Sequence, residues 1–226
     1  MRVERLQKIT DRRYKVILED GMSFPLYAGE VRKYHVADGE EIEDSVLREI
    51  MDDVLTRRAK LRCMNLLKSM DRTEGQLRSR LSQDGYPDMI ADRAIEYVSS
   101  YHYIDDDRYA LNYVRQMSGR RSRRQIESDL MKKGLDRDQI RTAFEELAQE
   151  RMPGEEMEDP DVAAIRSIAG KRGFDPETAD GETSWKFVRY LLRRGFGYSS
   201  VRQALGSLPI HSGQECHGIC PADREL

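Results

Sequence analysis

No stretch of this chain approaches the roughly 20 consecutive apolar residues that a membrane-spanning helix requires, which excludes a helical membrane protein. The opening residues, Met1-Arg2-Val3-Glu4-Arg5, lack the apolar core of a secretory signal, so a soluble, cytoplasmic protein is expected. Cysteine is scarce, three in 226 residues, which leaves no disulfide framework. Excess positive charge is also missing: the formal net charge is −3, so the chain is no polycation able to coat nucleic acid unaided. A catalytic constellation is lacking as well. Gly170-Lys171-Arg172-Gly173 has neither the spacing nor the Ser/Thr of a phosphate loop, and His35 and His102 have no identifiable base or nucleophile beside them. Neither an enzyme nor a cofactor is expected.

What the chain has in quantity is charge. Charged residues make up 35% and the hydrophobic set 38%, a balance that suits an elongated helical array better than one thick core. Such arrays announce themselves by internal repetition, and three glycines set the register here: Gly85, Gly134 and Gly195. Twelve residues before each stands a helix-capping type, Thr73, Ser122 and Thr183. Eight before is apolar (Leu77, Ile126, Phe187), and four before is always leucine (Leu81, Leu130, Leu191). A large residue follows each glycine (Tyr86, Leu135, Phe196).

This spacing predicts a helix that starts at a hydroxyl cap and stops at a left-handed glycine with the next side chain folded back. In two copies Gln76 and Gln125 complete a capping-box pattern. Beyond each glycine a second stripe has the i, i+3, i+4, i+7 spacing of an amphipathic helix: Ala91, Ala94, Ile95, Val98; then Ile140, Ala143, Phe144, Leu147; then Val201, Ala204, Leu205, Leu208. An earlier stripe leads into each pair, clearest in Tyr109, Ala110, Tyr113, Val114 and Met117. Three three-helix modules are therefore expected, over residues 46–100, 101–150 and 151–208, in a curved, elongated monomer. The stretches 150–161 and 175–182 read as loop.

The first 45 residues differ. Tyr14–Leu18 and Met22–Leu26 flank Asp20-Gly21 and predict a β-hairpin. Asp44 to Ser69 carries one long helical pattern with a possible break in its middle. The tail, 209–226, is expected to be disordered. Its His211, Cys216, His217 and Cys220 are zinc-ligand types, but a Cys-x-x-x-Cys pair without a framing hairpin does not make a site.

These modules, with Ser/Thr-x-x-(Glu/Gln)-Leu-x-x-x-Leu-x-x-x-Gly-(aromatic or aliphatic), resemble the RecX family. The most specific segment is Tyr103-Ile104-Asp105-Asp106-Asp107-Arg108-Tyr109-Ala110, similar to the motif that opens that family's middle module; Arg121 to Leu135, through Lys133-Gly134, resembles its continuation. His102 stands where the family usually has glycine, and module three lacks the capping-box acid or amide. The resemblance spans about Ala59 to Leu208. It implies a non-enzymatic modulator of the RecA recombinase that lodges in the groove of the RecA–single-stranded-DNA filament and limits its ATP turnover, strand exchange and co-protease activity.

Charge segregation suggests where such a partner would bind. Tyr113–Arg141 has nine bases to four acids, and Thr183–Leu205 has five bases and no acid, whereas Asp38–Asp53 has eight acids to one base. The candidate partner-binding residues are Arg120, Arg121, Arg123, Arg124, Lys132, Lys133, Lys186, Arg189, Arg193 and Arg194. A solvated face is the plainer reading of such runs. Asp105, Asp106 and Asp107 open a helix, where acids cap amides, and no further acid completes an octahedral metal set. Cys63 lies on an apolar stripe and reads as core. A helix-turn-helix duplex reader is the alternative function. Against it, the third helices present acids on their polar faces, Asp92 and Glu96, then Glu145 and Glu146.

Overall fold

The computed structural model describes residues 1–150 and 158–206; the tail residues His211, Cys216, His217 and Cys220 lie outside them. The chain forms two compact units, Met1–Tyr113 with Leu130–Ala148, and Val114–Asp129 with the described residues from Gln149 onward.

The first unit opens with strands β1 (Val3–Thr10), β2 (Arg13–Leu18) and β3 (Ser23–Tyr27), an antiparallel sheet in that order. The expected hairpin is β2–β3, with Tyr14 opposite Leu26 and Val16 opposite Phe24. Strand β1 was not foreseen. Its sequence VERLQKIT buries only Val3 fully, so it lacks the alternation by which strands are recognised. Val16, Leu18, Phe24 and Leu26 join one core with Ile50, Leu55, Leu77 and Ile90.

A short helix, α1 (Ala28–Lys33), follows, then the long helical stretch in three parts: α2 (Asp44–Glu49), a π-helical segment (Ile50–Thr56) and α3 (Arg57–Ser69). The break expected within this stretch is thus a change of winding. The Thr56 hydroxyl donates to Met51 O, five residues back, at 2.8 Å. Five-residue spacing buries Ile50 with Leu55 and Met51 with Thr56, after which four-residue spacing buries Ala59 and Cys63.

Helices then come in threes: α4 (Glu74–Gln83) and α5 (Asp88–Ser100) after α3; α6 (Asp106–Met117), α7 (Arg123–Lys132) and α8 (Arg137–Gln149); α9 (Pro160–Arg172), α10 (Gly181–Arg193) and α11 (Tyr198–Leu205). No strand occurs after β3 among the described residues. The three register glycines have φ of +86°, +93° and +85°. Each closes its helix in the same way: Tyr86, Leu135 and Phe196 donate backbone N–H to Leu81, Leu130 and Leu191 O at 3.1, 3.3 and 3.3 Å. That six-residue closure is the Schellman motif, and all three leucines are fully buried. At His102 the same closure forms without glycine: φ is +56°, and Tyr103 N–H reaches Val98 O at 3.1 Å.

The expectation that Thr183 caps its helix is overturned. Helix α10 starts earlier, with Asp180 as cap, its carboxylate accepting Thr183 N–H at 2.7 Å. Pro160 and Asp161, read as loop, open α9 with Asp159 as cap.

Thr73 and Ser122 do more than cap. The Thr73 hydroxyl accepts Gln76 N–H at 3.2 Å and donates to Lys133 O. Beside it, Glu74 N–H donates to the Asp106 carboxylate at 3.0 Å. In the second unit Ser122 accepts Gln125 N–H at 3.2 Å and donates to Arg194 O at 2.7 Å, while Arg123 N–H donates to Asp161 at 2.9 Å. Lys133 and Arg194 each precede a register glycine. The starts of α4 and α7 are therefore each pinned to the helix end and the first helix of the following module.

At the first joint the backbones nearly touch: a Cβ on Gly75 would lie 2.7 Å from Gly134 Cα and from Lys133 O. Glycine to alanine inside a helix ordinarily stabilises by about 0.5–1 kcal/mol. Gly75→Ala should instead destabilise, by about 1–3 kcal/mol, because a rigid backbone faces the new methyl. Urea unfolding of the variant decides the sign, and a gain in stability would show that the modules are not packed this closely.

Candidate functional site

The ten candidate cations divide between the units. Lys132 and Lys133 end α7 in the first; Arg120, Arg121, Arg123 and Arg124 lie at the start of α7 in the second, with Lys186, Arg189, Arg193 and Arg194 on and after α10. Arg121 is held by Asp129 and Arg123 by Glu127. Lys186 pairs with Glu182 at 2.6 Å, and that hydrogen bond raises its pKa. Lys133 Nζ sits over the Tyr109 and Tyr113 rings at 5.7 and 5.4 Å. Arg194 donates to the Tyr190 hydroxyl at 2.7 Å.

Arg120, Arg124, Lys132, Arg189 and Arg193 are exposed and have no ion-pair partner among the described residues. The second unit brings part of this set together. A Cβ on Gly195 would be 3.4 Å from Arg124 Cβ, so Arg124 packs along the turn that contains Arg194. Arg124 has the register position of Gly75. At this joint the partner helices stand far enough apart to admit a side chain, and that side chain is a cation.

The acidic motif has a different job. Asp105 accepts Arg108 N–H at 2.8 Å, which is a helix cap. Asp106 takes the Glu74 amide, and Asp107 accepts from Gln139 Nε2 at 3.1 Å. Ala110 is fully buried and Gly134 meets Gly75. The motif thus pins the middle module to the first. Among the described residues no group of three or more His, Cys, Asp or Glu side chains is placed to hold a metal. Burial pushes the Cys63 thiol up to about 11, as expected of a core cysteine. Burial likewise raises the carboxyls of Asp106 and Asp161, against the lowering effect of the backbone amides they accept.

Two features of this surface were missed in the sequence. Trp185 and Leu192 are exposed, at 51% and 38%, on the outer face of α10 beside Arg189. Their spacing of seven residues places them on one helix face, a signal that the surrounding charges mask. Among the described residues no helix is long and apolar enough to cross a membrane.

Comparison with known proteins identifies the first two modules. The first three-helix domain of RecX matches residues 59–97, and the second matches residues 105–143. A regulatory protein RecX of Clostridium botulinum is 27% identical over 204 residues, covering 88% of this chain and 92% of the relative. One from Mycolicibacterium smegmatis is 30% identical over 170 residues, covering 73% and 82%. A crystal structure of regulatory protein RecX has the same fold, with a TM-score of 0.56 and 19% identity over 90% of this chain and 98% of that one.

The Asp106 joint gives a test with a pH sign. A carboxyl whose folded pKa is raised favours its neutral form, so its contribution to stability is complete below the unfolded pKa and is lost as pH rises through the folded one. Asp106→Asn keeps an acceptor for the Glu74 amide without the desolvated charge. At pH 7 it should equal or exceed the unsubstituted chain in stability, and that margin should shrink on acidification below the ordinary carboxylate range, about pH 4. Asp106→Ala, which strands the amide, should cost about 1 kcal/mol. Urea midpoints at the two pH values measure this; an Asn variant weaker than the Ala variant would refute the joint.

Proposed function

This chain belongs to the RecX family, and from that premise we propose that it is a non-enzymatic regulator that binds RecA and RecA–single-stranded-DNA filaments and inhibits their recombinase, ATPase and co-protease activities. It would act in recombinational repair and the SOS response. Family membership supports a regulatory role, and the observation that points to residues is the set of exposed cations in the second unit. Arg120, Arg124, Arg189 and Arg193 stand exposed, with no ion-pair partner among the described residues, on a chain whose net charge is −3. Such a surface directs an otherwise acidic molecule toward an anionic partner, here the filament with its enclosed phosphodiester backbone. A duplex-reading mode is less well supported. Helices α5 and α8 expose Asp92, Glu96, Glu145 and Glu146, which would face phosphates in a major groove.

The single-stranded-DNA-dependent ATPase of RecA, with this protein titrated in, is the direct test. Inhibition is expected, weakening as salt rises relative to the uninhibited filament at the same salt. Charge reversal at Arg124 and Arg193 together should raise the half-inhibitory concentration about tenfold or more, which is about 1.4 kcal/mol. Thermal unfolding should be little changed, because both side chains are exposed. Undiminished inhibition by the folded double variant would place the contact elsewhere.

A further inference from the structure

Helix α10 exposes a face that charge alone does not explain. Along it lie Trp185, Arg189 and Leu192, at spacing 0, 4 and 7, with Lys186 and Arg193 along one side. Trp185 and Leu192 are separated by about 10.5 Å along the helix axis at 1.5 Å per residue, and both are open to solvent although Phe187, Val188 and Leu191 of the same helix fill the core of the second unit. Only Lys186 of the three cations is neutralised, by Glu182, and no acid occurs between Thr183 and Leu205.

A tryptophan and a leucine two turns apart, bracketing an arginine, form an apolar strip with cations along one side. That is the layout of a protein-docking strip, in which aromatic and arginine side chains supply most of the binding energy. Nucleic acid would use the cations and could stack a base on the indole, but a sugar-phosphate strand offers nothing for the Leu192 side chain to bury against. A helical segment with apolar side chains at i, i+3 or i+4, and i+7 matches the strip's length, and acidic flanks match its charge.

We infer that the outer face of α10 docks an acidic protein segment bearing apolar side chains at helical spacing, with Trp185 and Leu192 as anchors and Arg189 between them. The inference rests on the regulatory reading above and assigns this part of the cationic surface to contact with the recombinase protein in place of its DNA. Burying an exposed indole in a partner's apolar pocket is favourable by area alone, and the flanking cations would fix orientation.

The chain's single tryptophan is Trp185, so 5-hydroxytryptophan incorporated into this chain reports from this one site, excited apart from any tryptophan of the partner. On mixing with RecA filaments its emission should shift to the blue, as the ring leaves water, whereas an oligothymidylate alone should leave it unchanged. The variant Trp185→Ala/Leu192→Ala should raise the half-inhibitory concentration in the ATPase assay about tenfold or more, with unaltered thermal unfolding and unaltered oligothymidylate binding by anisotropy. Quenching by the oligonucleotide, with loss of its binding in the variant, would overturn the inference in favour of base stacking. Full inhibition by the folded variant would overturn it while leaving the regulatory reading intact. A chain that fails to inhibit RecA before any substitution would overturn both.

Discussion

An α-helix cannot satisfy its own first amides, and the module joints of this protein are built on that deficit. At the starts of α4 and α7 the orphan N–H groups are divided between two acceptors. The capping hydroxyl of Thr73 or Ser122 takes the amide at the third helical position, and a carboxylate from the next module's first helix, Asp106 or Asp161, takes the amide at the first. The same hydroxyl then spends its single proton on the carbonyl before the next module's register glycine. One side chain thus ends one helix deficit and secures the neighbour. A module removed from the row would open these groups to water and forfeit the net worth of each hydrogen bond, about 0.5–1.5 kcal/mol. The joint therefore makes the modules interdependent, as in other repeat proteins whose units contact only their neighbours.

Ends of such a row need separate solutions. At the start, Asp84 O, the carbonyl before Gly85, has no preceding hydroxyl, and the guanidinium of Arg13 on β2 donates to it instead. The N-terminal sheet consequently occupies the place of a preceding module, sharing its Val16, Leu18, Phe24 and Leu26 with the core of α3–α5. At the far end Thr183 holds the register position of Thr73 and Ser122 but is exposed, whereas they are fully buried. With no further module to receive its hydroxyl among the described residues, the helix extends backward and caps itself on Asp180. An exposed carboxylate serves here; the accepted amide holds the Asp180 carboxyl below the usual range, the reverse of the half-buried Asp106 and Asp161.

Legibility in the sequence follows the range of the interaction. Glycine, leucine and the following large residue lie within six positions of one another and are fixed by one helix end, so all three closures could be read directly. The β2–β3 hairpin was equally local. Strand β1 was not legible, because an edge strand with one buried side chain has no pattern. The Arg13 contact spans 71 residues, and no local chemistry marks Arg13 among its basic neighbours. The Thr183 error has the same origin: register predicts a joint residue, and among the described residues no later module meets it. Among the candidate site residues the charges were visible from composition, but their commitment was not. Only the folded chain distinguishes Arg121, held by Asp129, from Arg124, which is free of such a partner.

Register and function compete for the same positions. Wherever the repeat is strict, side chains are consumed by the joints: Asp106 pairs with an amide, Ala110 is buried, and Gly75 must have no side chain at all. Such positions cannot also meet a partner. The surface left for binding is drawn from positions at which the modules differ, and Arg124 shows the exchange most clearly. Its counterpart is Gly75, where the backbones are too close for a methyl group. The second joint is wider by enough to hold an arginine, and the side chain it admits points its charge to solvent beside the turn that ends α10. A looser joint in the second unit is what allows the array to carry a cationic surface there, while the tight glycine contact in the first unit holds its modules rigidly together.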